Sequence, residues 1–172
     1  MFLIYGGGQL ILEGYSDASF QLDDDDSKSQ SGFVFKFNGG VVAWKSSKQA
    51  TTVDFTTKAE YTAASKAAKK AVWIKKYIQE LGVVPSIVEH VVVFYDNIGA
   101  IAQANEPRSY HRSKYILRCY YLLRKMVSRG DVRMDRVNSV ENIADPLTKP
   151  MSQIAHTQHL DKMGLRTMGD WL

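Results

Sequence analysis

Five apolar residues in a row, Val91 to Tyr95, stop abruptly at Asp96 and Asn97, and helix-like spacing follows in "IGAIAQ". So short a run without polar alternation reads as a buried strand. A buried strand set between helical segments directs the chain towards a sheet covered by helices. The carboxylate at its tip stands where open α/β sheets meet their ligands.

The neighbouring segments agree with that frame. "LILEGYSDAS" reads as an alternating strand, followed by a polar loop from Asp23 to Gln30 that contains the acidic run Asp23 to Asp26. "SGFVFKFNGGVVAWKS" reads as a hairpin turning at "NGG", where positive φ is tolerated. From Thr57 to Leu81 the period becomes helical, with Ala64, Ala67, Ala71, Ile74 and Ile78 on one face and Gly82 as a stop. A linker through Pro85 leads to the apolar strand, then a short helix from Ile98 to Asn105 ends before Pro107. A second long helix spans Ser113 to Arg129, with Ile116, Tyr120, Leu123 and Val127 inward, and "DVRMDRV" alternates as a strand. "SVENIADPLTKP" leads into a last short helix. The order is that of an α/β domain over residues 1–150, with its core in about 10–150. Residues 151–172 form a tail, partly helical around "AHTQHLDKMG", whose Trp171 and Leu172 pack back on the domain.

Composition narrows the class. With 172 residues, 45% hydrophobic and 23% charged, the chain is long enough for one cored domain and not composed like a disordered one. A net charge of +4 and a pI near 9.1 lean towards polyanionic partners. The lone Cys119 excludes an internal disulfide and a multi-cysteine zinc site, and it points to a reducing, intracellular setting, cytoplasmic or nuclear. Apolar runs are too short for a membrane span, and "MFLIYGGGQL" lacks the basic region of a signal peptide; it reads as the start of a fragment from a longer chain. Gly6 to Gly8 lack the lysine and helix of a phosphate loop.

Four carboxylates stand at structural edges: Asp17 late in the first strand, Glu60 in the first turn of the long helix, Asp96 at the strand tip and Asp145 in "NIADPLTK". Each has an ordinary reading. Asp17 suits a turn, Glu60 the helix dipole, Asp96 a cap on the next helix, and Asp145 an N-cap before proline. Glu60, however, shares its helix face with Ala64, Ala67 and Ile78, while Lys58, Lys69 and Lys76 lie opposite. Clustered carboxylates repel and require bound cations, and oxygen donors without cysteine suit Mg²⁺ or Mn²⁺. A pair of such ions about 4 Å apart promotes in-line displacement at phosphorus.

The set "GYSDAS", "SGFVF", "AWKSSKQ", "AEYTAAS", "YDNIGAIA", "HRSKYILR" and "NIADPLTKP", in order from about Gly14 to Pro150, closely resembles the ribonuclease H domain of copia-type LTR retrotransposon polyproteins. That resemblance implies a ribonuclease H-like fold with a five-stranded mixed sheet, three antiparallel strands followed by two parallel ones, flanked by helices. It implies an endoribonuclease that hydrolyses the RNA strand of RNA–DNA hybrids with two Mg²⁺ or Mn²⁺ ions, leaving a 5′-phosphate and a 3′-hydroxyl. By motif the metal ligands and catalytic residues fall on Asp17, Glu60, Asp96 and Asp145. A reverse transcriptase domain upstream in the parent polyprotein is implied as partner, and the isolated domain is expected to be a monomer. The chain departs from many relatives at Lys58 (usually acidic), Tyr115 (usually histidine in "SKHI") and Tyr95 (often cysteine). The loop "VNSVENIAD" also lacks the histidine that cellular and retroviral ribonucleases H carry there, which implies slow turnover.

On the second long helix Lys114, Arg118, Lys125 and Arg129 lie within about 60° of the wheel, a phosphate-tracking face or simply a solvated one. Arg108, Arg112 and Arg124 lie near it in sequence. Hybrid recognition is expected to rest on groove shape and 2′-hydroxyls. Ser16, Ser19, Ser29 and Asn97 are candidate donors to the nucleic-acid backbone, Asn97 foremost. Trp44 and Trp73 are expected in the core, and His111, His156 and His159 at the surface. The competing function is a catalytically weak or inactive domesticated module that binds nucleic acid or protein. A Holliday-junction resolvase or integrase of similar fold is disfavoured by the motif wording.

Overall fold

The computed structural model describes residues 1–6, 9–20, 28–50, 56–82, 84, 90–96 and 114–167. In chain order these form β1 (Phe2–Leu3), β2 (Glu13–Ser19), β3 (Gln30–Phe37), β4 (Gly40–Lys48), α1 (Thr56–Leu81), β5 (Val91–Tyr95), α2 (Lys114–Ser128), β6 (Val132–Arg136), α3 (Gln153–Lys162) and β7 (Leu165–Arg166). Single 3₁₀ turns occur at Ser139–Glu141 and Asp145–Leu147. The short helix expected from Ile98 to Asn105, and Trp171 with Leu172, lie outside the described residues.

The five-stranded sheet runs β4-β3-β2-β5-β6; β4, β3 and β2 are antiparallel, whereas β2, β5 and β6 are parallel. Its β3–β4 hairpin turns through Asn38 at φ 51 and Gly39 at φ 85, the paired positive φ values that suit a two-residue turn to strand twist. β5 is buried at Val91, Val93 and Tyr95, as its unbroken apolar run requires.

Helix α1 crosses the sheet over β2, β3 and β5. Its buried face carries Ala64, Ala67, Ala71, Ile74 and Ile78, the spacing read from the sequence. Alanine at so many of these positions lets the helix backbone approach the strands closely, and Phe35, Val91, Val93 and Tyr95 fill the space beneath. α2 packs beside α1 through Leu123 and Met126, and the stacked rings of Tyr61 and Tyr120, 5.3 Å apart, join the two helices.

The opposite sheet face has its own core. Val34 and Val41 meet Ile143, Ala144 and Met163, with Leu3, Tyr15, Leu160 and Leu165 at the margin. β7 pairs antiparallel with β1, so residues 151–167 are built into the domain. Ending the chain after Pro150 removes Leu160, Met163 and Leu165 from that core. It is expected to lower the melting temperature by roughly 10 °C or more, and an unchanged melting curve would contradict this packing.

Both tryptophans expected in the core are at the surface, Trp44 at 64% and Trp73 at 57% exposure. Trp44 pairs with Val34 on the edge strand β4, at the border of the sheet. Trp73 lies on the solvent face of α1, stacked on Tyr77 with the Lys70 ammonium 3.9 Å above the ring centre. No described helix is long and apolar enough to cross a membrane.

Candidate metal centre

Strand register brings the first two carboxylates together. In the parallel pair of β2 and β5, Tyr15 lies opposite Phe94. Carrying that register two residues forward sets Asp17 beside Asp96, the residue that follows β5. Asp96 accepts a hydrogen bond from the Ser139 hydroxyl at 2.9 Å. Asp17 is fully buried, on the sheet face that carries the 3₁₀ turns.

The third carboxylate arrives on the Asp145–Leu147 turn. Asn142, itself fully buried, donates through its side-chain amide to the Ser16 carbonyl at 3.1 Å and accepts from the Ala144 N–H at 3.2 Å, which ties the turn to β2. Gly32, opposite Asp17 on β3, completes the seat: a Cβ there would lie 2.9 Å from both Leu147 Cβ and Thr148 Cγ2. Gly32→Ala is therefore expected to push the turn off the sheet and cost about 1–3 kcal/mol, read by urea unfolding. An unchanged midpoint would mean that the turn does not depend on this close approach.

Asp17, Asp96 and Asp145 each place a carboxylate oxygen within 4.8 Å of the others. The N-cap of that turn is Ala144 and Asp145 is its first residue, so the N-cap reading does not describe Asp145. Its pKa is pushed up to about 6 by burial and by the Asp17 charge, against the opposing pull of Lys149.

Glu60 stands apart from that trio but in its field. The helix begins at Thr56, so Glu60 lies just past the first turn, 8% exposed, facing the end of β2. The Ala18 backbone N–H donates to its carboxylate. Burial, then the charges of Asp17 and Asp96, raise its pKa to about 9.

Two groups not singled out in the sequence complete the cluster. Lys149 extends its ammonium to 3.0 Å from Asp17 Oδ1 and 3.4 Å from Asp145 Oδ1. Burial pulls this ammonium down, but Asp17, Asp145 and Asp96 outweigh it and hold the group above the usual lysine range. The Thr148 hydroxyl reaches both Asp17 Oδ2 and, at 3.1 Å, the Asp145 carbonyl, so its single proton is shared between these two acceptors. The donor set is made of carboxylate oxygens, of which Glu60 and Asp145 are raised by burial and then by their acidic neighbours, and it fits a hard divalent cation.

The remaining candidates distribute differently. Ser16, Ser19 and Ser29 are all buried, and Ser16 contributes through its carbonyl to the Asn142 clamp. The hydroxyls of Ser19 and Ser29 have no hydrogen-bond partner among the described residues. On α2, Arg118, Lys125 and Arg129 are exposed, and Arg129 pairs with Asp131 at 3.7 Å. Lys114 opens α2, but its side chain, Asn97, Arg108 and Arg112 lie outside the described residues, as does His111. His156 is half-buried. His159 is not the surface group expected: it is 5% exposed on the inner side of α3, and burial, then Lys162, lowers its pKa.

No family model matches the chain. The Pol polyprotein from transposon TNT 1-94 of Nicotiana tabacum is 37% identical over 147 residues, which are 86% of this chain and 11% of that protein. The Pol polyprotein from transposon RE2 of Arabidopsis thaliana is 32% identical over 159 residues, 92% of this chain and 11% of that protein. The chain thus spans about a tenth of the length of the curated relatives it matches. Among solved structures, LC11-RNase H1, isolated from compost, superposes with a TM-score of 0.58 at 15% identity, over 90% of this chain and 98% of that one. The same protein in complex with an RNA/DNA hybrid gives 0.55 at 16% identity, over 80% and 93% of the two chains. At such identity these structures establish the fold, and the polyproteins establish the kinship. The chain belongs to the Pol polyproteins of copia-type transposons, within which this segment takes the ribonuclease H fold.

Proposed function

We propose that this segment is the ribonuclease H of a retrotransposon polyprotein, cutting the RNA strand of RNA–DNA hybrids with two divalent ions, Mg²⁺ or Mn²⁺. The observation that carries the reading is the convergence of Asp17, Asp96 and Asp145 within 4.8 Å, with Glu60 raised first by burial and then by the charges of two of them. Bound divalent ions would activate water and offset the charge that develops at the scissile phosphate. Asp17, Glu60, Asp96 and Asp145 would hold those ions. Ser139 fixes the orientation of Asp96, while Asn142 and Gly32 fix the turn that presents Asp145.

The basic side of α2 supplies the second half of the reading. Arg118, Lys125 and Arg129, with Lys114 on the same stripe, would track phosphates of the hybrid, while 2′-hydroxyls distinguish RNA from DNA. Asn97 would donate to the backbone near the cut, whereas the buried hydroxyls of Ser16, Ser19 and Ser29 are not placed to do so. An upstream reverse transcriptase in the same polyprotein would deliver the hybrid.

A substrate panel tests this. Labelled RNA in a hybrid should be cut in Mg²⁺ or Mn²⁺ and left intact in EDTA, with duplex RNA, duplex DNA and single-stranded RNA spared. Salt-sensitive binding without cuts in either metal would leave an inert binding module instead.

A further inference from the structure

We propose that Lys149 is a resident cation of the acid cluster, which holds Asp17 and Asp145 together and must swing out before a divalent ion can take the same oxygens. This rests on the reading of the cluster as a metal site. The ammonium lies 3.0 Å from Asp17 Oδ1 and 3.4 Å from Asp145 Oδ1, two of the three carboxylates that converge. A divalent ion coordinated by those oxygens would sit within a few ångströms of the ammonium, and in a partly buried site that repulsion is weakly screened.

The surrounding geometry lets the side chain leave while the backbone stays. The backbone N–H groups of Thr148 and Lys149 both donate to the Asp145 carbonyl at 3.0 Å, which holds the turn closed. Thr148 also keeps its hydrogen bond to Asp17. The Lys149 side chain is 38% exposed, so a path to solvent is open to it, whereas Asp17 has none at 0%. Lys149 also offsets the charges felt by Glu60 and Asp145, the work that a bound cation would take over. The lysine therefore acts as a positioning residue, keeping the cluster assembled until an ion arrives.

Calorimetric titration of the full chain with Mn²⁺ tests this, using the wild type, Lys149→Met and Lys149→Arg. The methionine variant should bind Mn²⁺ about tenfold more tightly and melt at a lower temperature in EDTA, while the arginine variant stays close to wild type. Lost packing alone would weaken binding and could not tighten it. Equal or weaker Mn²⁺ binding by Lys149→Met overturns the inference. Failure of the wild type to bind Mn²⁺ at all would overturn the metal reading beneath it. Should Lys149→Met not fold, acetylation of wild-type Lys149 by acetic anhydride gives the same decision by mass spectrometry. Mn²⁺ should increase that labelling severalfold and Asp96→Asn should abolish the increase; unchanged or reduced labelling overturns the inference.

Discussion

Asp17→Asn is expected to reduce RNA-strand cleavage by about 10³-fold or more and to destabilise the metal-free domain at the same time. The first effect follows because Asp17 is one of the three converging carboxylates, and losing an ion contact of several kcal/mol at the transition state has that size. The second follows from its partners. Thr148 and Lys149 both donate to this buried carboxylate, and replacing a charged acceptor costs about 1–3 kcal/mol. Lys149 can turn to solvent, which keeps the cost at the lower end. Single-turnover cleavage and thermal unfolding in EDTA measure the two effects. A stable variant with near-normal cleavage would remove Asp17 from the chemistry.

Glu60→Gln is expected to move activity and stability in opposite directions. Its carboxyl has a pKa of about 9 in the folded chain, against 4.5 as the ordinary value. Below about 4.5 both folded and unfolded chains hold the proton, and ionisation costs the fold nothing. As pH rises from there to about 9, the unfolded chain releases its proton while the folded chain keeps it, so stability is progressively lost. Asp145, raised to about 6 from 3.8, adds a smaller loss of the same sign at lower pH. In EDTA the wild type should therefore lose melting temperature between pH 5 and 9, on the order of several kcal/mol in stability. Glu60→Gln should abolish most of that slope and melt higher than wild type at pH 8, yet cut hybrid poorly. A variant that melts lower than wild type at pH 8 would show that the buried carboxylate is not the source of the slope.

Much of this site was legible in the chain because it depends on local periodicity. Helical spacing alone turned Glu60 inward with Ala64 and Ala67, and both alanines are buried where the wheel puts them. An unbroken apolar run placed Asp96 at the end of a central strand, and β5 is central. The motif wording supplied the four carboxylates and the mixed sheet. What periodicity does not contain is register between distant strands. Tyr15 faces Phe94 through tertiary pairing, and this pairing, not any local signal, puts Asp17 beside Asp96.

The groups that serve the carboxylates were harder to read for the same reason. Ser139, Asn142 and Lys149 act across long stretches of chain, and each would pass locally for a loop residue. Gly32 did carry a signal, since glycine inside a strand marks a close approach, but what approaches becomes apparent only once the Asp145–Leu147 turn is seated. Trp44 and Trp73 were misplaced because average burial by size says nothing about which strand forms the edge or which helix face lacks a partner. His159 failed in the other direction: Leu160 and Met163 draw that side of α3 against the sheet and cover the imidazole with it.

The most direct test of the account is the rate of RNA-strand cleavage in one labelled RNA–DNA hybrid, measured for the wild type and Asp96→Asn side by side in Mg²⁺. Asparagine keeps the size of the side chain and can still accept from Ser139, so the strand tip should remain in place. The account predicts cuts in the RNA strand by the wild type and a loss of about 10³-fold or more in the variant, with hybrid binding retained. Equal cleavage by the two proteins, or none by the wild type, would contradict it.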